Sequence, residues 1–155
     1  MPSVIELAML ALWIGAAAAV AAVVAPALFA VLPTRTLAGA VVGRVLPVIF
    51  YSGIVIGIVA IILEWRAHHE WRWLGGESAA AVVVVACAIA QWYVAPRIEQ
   101  VRQAIGGPVD GLPPDDPRRV AFGRLHGESV LWLGLAMMAA AVGAVLAARA
   151  ITKTD

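Results

Sequence analysis

Charge is what this 155-residue chain has least of: Asp, Glu, Lys and Arg make up 14% of it, against 63% hydrophobic residues. A soluble domain carries about a quarter of its residues charged, and one this small could not hide so much apolar surface, so a water-soluble globule is excluded. Cysteine is nearly absent as well. Cys87 alone allows neither an intramolecular disulfide nor a multi-thiolate metal site, and gives no reading of redox compartment. No basic stripe lies along a polar face, which excludes the electrostatic footprint of a nucleic-acid binder. Ahead of the first apolar run stands Met1-Pro2-Ser3-Val4-Ile5-Glu6, with an acid where a secretory signal needs basic residues. That run is therefore expected to be a retained helix.

What the chain does have is four runs without a single Asp, Glu, Lys or Arg: residues 7–32, 45–63, 79–95 and 130–148. A helix of about 20 residues, rising 1.5 Å per residue, crosses the ~30 Å hydrocarbon layer. The expected fold is all-α, an integral membrane four-helix bundle forming one domain over 1–155. Its spans fall at about 5–32, 38–64, 78–100 and 118–149, and its first partner is the lipid bilayer.

Four spans put the termini and the 64–77 loop on one side, and the 33–44 and 97–124 segments on the other. The second side holds seven basic residues (Arg35, Arg44, Arg97, Arg102, Arg118, Arg119 and Arg124) and the first holds four (Arg66, Arg72, Arg149 and Lys153). The positive-inside rule then puts both termini outside. Trp65, Trp71 and Trp73 in the outer loop, and Trp92-Tyr93 near the inner end of the third span, read as interfacial anchors. Residues 106–117 are too dense in Gly and Pro for a helix, and Asp115-Asp116-Pro117 reads as the start of the fourth.

A degenerate repeat of two helices is visible. Val24-Ala25-Pro26 recurs as Val94-Ala95-Pro96, and Gly43-Arg44 as Gly123-Arg124, which predicts halves related by a pseudo-two-fold axis along the membrane normal. Superposed halves should then place Pro26 on Pro96 and Gly43 on Gly123. Small residues four apart, Gly39/Gly43, Gly53/Gly57 and Gly123/Gly127, are expected to let helices approach closely, as is the Gly15, Ala18, Ala19, Ala22 and Ala25 lining of the first span. Pro26 and Pro47 are expected to kink their helices.

Polar groups near membrane depth concentrate in Phe122-Gly123-Arg124-Leu125-His126-Gly127-Glu128-Ser129. On a helix His126 and Ser129 share a face, while Arg124 and Glu128, four apart, can pair on a neighbouring one. Ionisable residues at such depth are costly and mark candidate sites, with interfacial solvation as the plainer reading. His126 is expected to face the bundle interior, because a lipid-facing imidazole loses its hydrogen-bond partners. Glu64 and His68 are also four apart, but no second spaced pair completes a metal site, and His126 lies at the opposite face.

The run Val24-Ala25-Pro26-Ala27-Leu28-Phe29, Ala38-Gly39, Gly43-Arg44, Pro96 and above all the segment 122–129 resemble the domain of unknown function numbered 4149. That family consists of four-helix membrane proteins related to transmembrane protein 205. The chain departs from it at Leu46-Pro47, where an aromatic is expected, at Glu128, usually apolar, and at Leu133, often Asn. The resemblance implies no established reaction. It implies membership of a broad group, some of whose members are implicated in resistance to metal compounds, with a more distant similarity to copper-resistance and haem-pathway membrane proteins.

Together these readings predict a bacterial inner-membrane protein without a catalytic centre. Transport or efflux needs a polar path, for which His126, Ser129, Arg124, Glu128, Arg44 and Arg97 are the candidates, with Pro26, Pro96, Gly43, Gly123 and Gly127 as structural positions. An assembly or accessory role, with a second copy or another membrane protein as partner, needs no site. A haem- or copper-associated redox role needs cofactor ligands, for which one intramembrane His is thin support. No cofactor is required by the sequence.

Overall fold

The computed structural model describes residues 2–67 and 76–152. They form four helices long and apolar enough to cross a membrane: α1 (Ser3–Val31), α2 (Arg35–Arg66), α3 (Glu77–Ile105) and α4 (Pro117–Thr152). Consecutive helices pack side by side, and α4 closes back on α1, so the four make a ring with α1 opposite α3 and α2 opposite α4. No strand occurs among the described residues.

The helices are 29, 32, 29 and 36 residues long. At the α-helical rise they measure about 44–54 Å, well beyond the ~30 Å hydrocarbon layer. The charge-free runs fix where that layer falls. The excess length of α2 (35–44), α3 (96–105) and α4 (117–129) therefore stands out on the side of the 106–116 loop, here termed the loop side. The third helix outruns its sequence expectation of 78–100 for the same reason: Arg97–Ile105 is polar but carries good helix formers. It stops at Gly106, whose φ of +66° admits glycine without cost and whose N–H donates to Arg102 O at 3.2 Å.

Through the middle of the hydrocarbon layer the bundle is solid. Leu10, Trp13 and Ala17 of α1 meet Ile49, Phe50 and Ile54 of α2, Val83, Cys87 and Ala90 of α3, and Leu133, Ala136 and Ala140 of α4. The alanines let helices close in around Trp13, which is 2% exposed and donates its indole N–H to Ile49 O at 3.0 Å. Large apolar side chains such as Leu12, Val48 and Leu131 point outward and face lipid. At the terminal side Glu6, read from the sequence only as a flanking acid, is buried and shares a hydrogen bond with Glu64.

Glycine does not act everywhere as its spacing predicts. A Cβ at Gly53 would lie 2.7 Å from Cys87 Sγ and from Trp13 Cζ2, and one at Gly57 2.6 Å from Val84 Cγ2 and 3.1 Å from Ala80 O. This pair is a true close-approach seam. A Cβ at Gly39, Gly43, Gly123 or Gly127 would meet nothing within 4 Å, so the expected packing role of these four is corrected. Small-xxx-small spacing gives a helix a flat stripe, but only a neighbour pressed against that stripe makes it a contact.

Both Ala-Pro pairs follow a π-helical segment. Val20–Val24 precedes Ala25-Pro26, and Ile89–Val94 precedes Ala95-Pro96. Proline has no N–H and its ring crowds the carbonyl four residues back. The wider turn moves that carbonyl aside: Ala25 N–H donates to Val20 O and Ala95 N–H to Ala90 O, one residue further back than in an α-helix. The same device at the same place in α1 and α3, on opposite corners of the ring, is what a duplicated hairpin would carry. Pro47, by contrast, lies inside α2 without interrupting the helix.

On the loop side α4 begins as its sequence predicts. Asp116 Oδ1 accepts the Arg118 backbone N–H at 2.8 Å, with Pro117 at the first helical position. Hydrogen bonds from the Arg118 side chain and backbone hold the Asp116 carboxyl down to about 2. Arg119 fastens the preceding loop by donating to Leu112 O at 2.6 Å.

Candidate functional site

On the loop side, from the edge of the hydrocarbon layer at Phe50 and Gln91 outward, the ring is not filled. A cavity of about 450 Å³ opens there, walled by α2, α3 and α4 and closed at one edge by Phe29 of α1. Its residues follow helical stripes: Gly39, Val42, Gly43, Leu46 and Phe50 on α2; Gln91, Ala95, Ile98 and Arg102 on α3; Phe122, Gly123, His126 and Ser129 on α4. From Gln91 to Arg102 the wall rises about 16 Å. The volume lies within the range of small-molecule sites, about 300–1,000 Å³.

The walls are apolar, and the polar groups separate into two sets. At the floor, against the packed layer, sit Gln91 and Ser129, with His126 one turn nearer the mouth. Ser129 is 6% exposed and has no hydrogen-bond partner among the described residues, while His126 is exposed at the cavity wall. Gln91 Nε2 makes a long 3.5 Å contact to Tyr51 OH, while its buried Oε1 has no partner. Buried polar groups are nearly always satisfied, so unpaired ones grouped around a void point to an occupant. At the mouth stand Arg35, Glu99, Arg102, Asp110 and Arg119. Arg102 pairs with Glu99 at 2.6 Å and Arg119 with Asp110 at 4.0 Å, while Arg35 has no partner among the described residues.

Of the six functional candidates read from the sequence, His126 and Ser129 line this cavity. The other four do not. Arg124 and Glu128 pair with each other at 3.1 Å, with the Arg124 side chain 80% exposed on the outer surface of α4. Arg44 is exposed on the outside of α2. Arg97 donates to Tyr93 O at 2.9 Å and lies over the Tyr93 ring, 3.3 Å from its centroid, in an interfacial stack. A helix gives each residue its own direction, and sequence proximity to His126 does not carry Arg124 or Glu128 to its face. Gly43 and Gly123 are cavity wall rather than seam, Gly127 is neither, and Pro26 and Pro96 follow the π segments. His68, Trp71 and Trp73 lie outside the described residues, where the Glu64/His68 pair cannot be followed. Among the described residues no three His, Cys, Asp or Glu side chains come together as a metal site.

Gln91, Arg35, Arg102 and Arg119 were not singled out by sequence reasoning. Gln91 had a signal, as the one amide in the charge-free run 79–95, and π-helical turns such as the one that carries it recur at functional sites.

A family model described as Domain of unknown function (DUF4149) matches residues 8–106. The match takes in α1, α2 and α3, hence two of the three cavity walls, and ends before segment 122–129. No curated protein and no solved structure matches the chain.

Proposed function

The chain belongs to the DUF4149 family, and we propose that this multi-pass membrane protein holds a small, mainly apolar ligand in its loop-side cavity without transforming it. The carrying observation is the pair of unpartnered polar groups, the buried Oε1 of Gln91 and the hydroxyl of the buried Ser129, at the closed end of an apolar void, with the exposed His126 beside them. Among the described residues no nucleophile is hydrogen-bonded to a base there, and Cys87 is buried in the packed layer away from the cavity. The reading favours a binding or delivery role over a pore, because the layer below the cavity floor is filled by the core around Trp13 and Phe50. A transport or efflux cycle would require that core to part. The twin π segments on its loop side favour this as the second reading, since irregular helix at equivalent places of a repeat marks many carriers. Metal-stress, haem and copper roles find less support, with one imidazole and no thiolate at the cavity.

Gly43→Trp tests the reading, because its side chain would enter the void from a position where a Cβ touches nothing. Native mass spectrometry of the purified protein with added hexadecanoate should show occupancy lost in Gly43→Trp and in Gly123→Trp, with thermal stability near wild type. Undiminished occupancy in both folded variants would remove the cavity from the account.

The excess of basic residues on the loop side leads us to place the cavity toward the cytoplasm of a bacterial inner membrane, with both termini outside. In a Cys87→Ala background, a cysteine within 106–116 should resist an impermeant thiol reagent added to intact cells, and one in the loop between α2 and α3 should react. The reverse pattern turns the molecule over. A second copy or another membrane protein is compatible with the exposed apolar faces.

A further inference from the structure

Resting on the reading of the cavity as a ligand site, we propose that its ligand is polar at both ends: an anionic group at the mouth and an uncharged, hydroxyl-type group at the floor, joined by one apolar chain.

The floor sets the first half of this. Ser129, 94% removed from solvent by its 6% exposure, presents a hydroxyl with no partner among the described residues, and the buried Oε1 of Gln91 is likewise unpaired. Whichever way that amide is turned, Ser129, Gln91 and His126 offer donors and acceptors together. Ser129 and Gln91 offer no opposite charge to a charged guest. The nearest acid and base of α3 that line the cavity, Glu99 and Arg102, begin two turns closer to the mouth, about 12 Å along the helix, and are paired with each other. An ion at the floor would lose its water without gaining a counterion, whereas a hydroxyl gains hydrogen bonds.

The mouth sets the second half. Three guanidinium groups and two carboxylates ring it, and the two acids are taken by Arg102 and Arg119. Arg35 is left as the surplus cation among the described residues. Its planar fork suits a carboxylate or a phosphate, and the shared chemistry is an oxyanion at the end of a chain. Between the two ends the walls are Leu46, Phe50, Ile98 and Phe122, and about 450 Å³ suits one hydrocarbon chain rather than the two of a bilayer phospholipid.

The test compares 16-hydroxyhexadecanoate, hexadecanoate, hexadecyl phosphate and hexadecanol on the whole protein by native mass spectrometry. Both chain-end anions should bind about tenfold more tightly than the alcohol, and the hydroxy acid about threefold more tightly than hexadecanoate, as charged and neutral hydrogen bonds respectively warrant. The two anions also separate a carboxylate from a phosphate source. Arg35→Gln should abolish the anion preference and keep the hydroxyl preference. Ser129→Ala and Gln91→Leu, made singly and together, should do the opposite, with thermal melts confirming that each variant is folded. Equal binding of all four probes, or a ranking unmoved in either class of folded variant, overturns the bipolar ligand while leaving the cavity as a site. Occupancy that survives both Gly43→Trp and Gly123→Trp overturns the cavity itself.

Discussion

Alanine at Gly53 or Gly57 should lower the thermal stability of the bundle, and alanine at Gly39 or Gly123 should raise it, although all four residues belong to the same kind of spaced pair. Helix propensity alone favours each change by up to about 1 kcal/mol. At Gly39 and Gly123 nothing opposes this, since the new methyl meets open space. At Gly53 it would press on Cys87 Sγ and Trp13, and the indole cannot swing away without giving up its hydrogen bond to Ile49 O. At Gly57 the obstacle includes the Ala80 carbonyl and the Val84 backbone, which move only if α3 moves. Overpacking of this kind costs about 1–3 kcal/mol and outweighs the propensity gain. Circular dichroism melts in a mild detergent decide the matter, and four shifts of one sign would refute the division into seam and wall.

Trp13→Ala should be the most damaging single truncation, costing about 3 kcal/mol, the low end of the range for Trp→Ala. The low end is chosen because lipid, unlike water, gives little hydrophobic reward for burial, and the loss is mainly of packing. Trp13→Phe separates volume from hydrogen bonding. Ile49 O, which loses the indole N–H, still accepts from Ser52 Oγ at 3.0 Å, so the carbonyl is not orphaned and the cost should stay below about 1 kcal/mol. Phe also lacks the Cζ2 that a Cβ at Gly53 would strike. Gly53→Ala should therefore cost less in a Trp13→Phe background than alone. A strictly additive double mutant in chemical or thermal unfolding would mean the two do not touch.

The membrane fold was legible because its physics is one-dimensional: the absence of charge over a bilayer's thickness can be read along a single strand of sequence. The helix start at Asp116-Pro117 was legible for the same reason, being a local hydrogen bond. What lay beyond the sequence was everything set by a second helix. Gly53/Gly57 and Gly39/Gly43 are indistinguishable in spacing, and only the helix opposite decides which pair is pressed and which lines a void. His126 and Ser129 were found because three-residue spacing fixes a shared face. Arg124 and Glu128 were drawn in by proximity, yet their own four-residue spacing put them together on the outside, where they pair. Gln91 stood in an apolar run without comment, because its importance comes from α2 and α4 meeting it at the cavity floor. The segment 122–129 carried most of the family likeness to the eye, while the matching region ends at residue 106.

The solid core around Trp13 also has an electrical meaning. A membrane potential falls across whatever insulates, and in this protein that is the layer of Leu10, Trp13, Phe50, Cys87 and Leu133, with the charged mouth of the cavity standing outside it. Moving a unit charge through the full field involves about 2.3 kcal/mol per 100 mV. A charged group that enters from the loop side and stops at the mouth crosses none of that drop, so occupancy of the proposed site would be uncoupled from whether the membrane is energised.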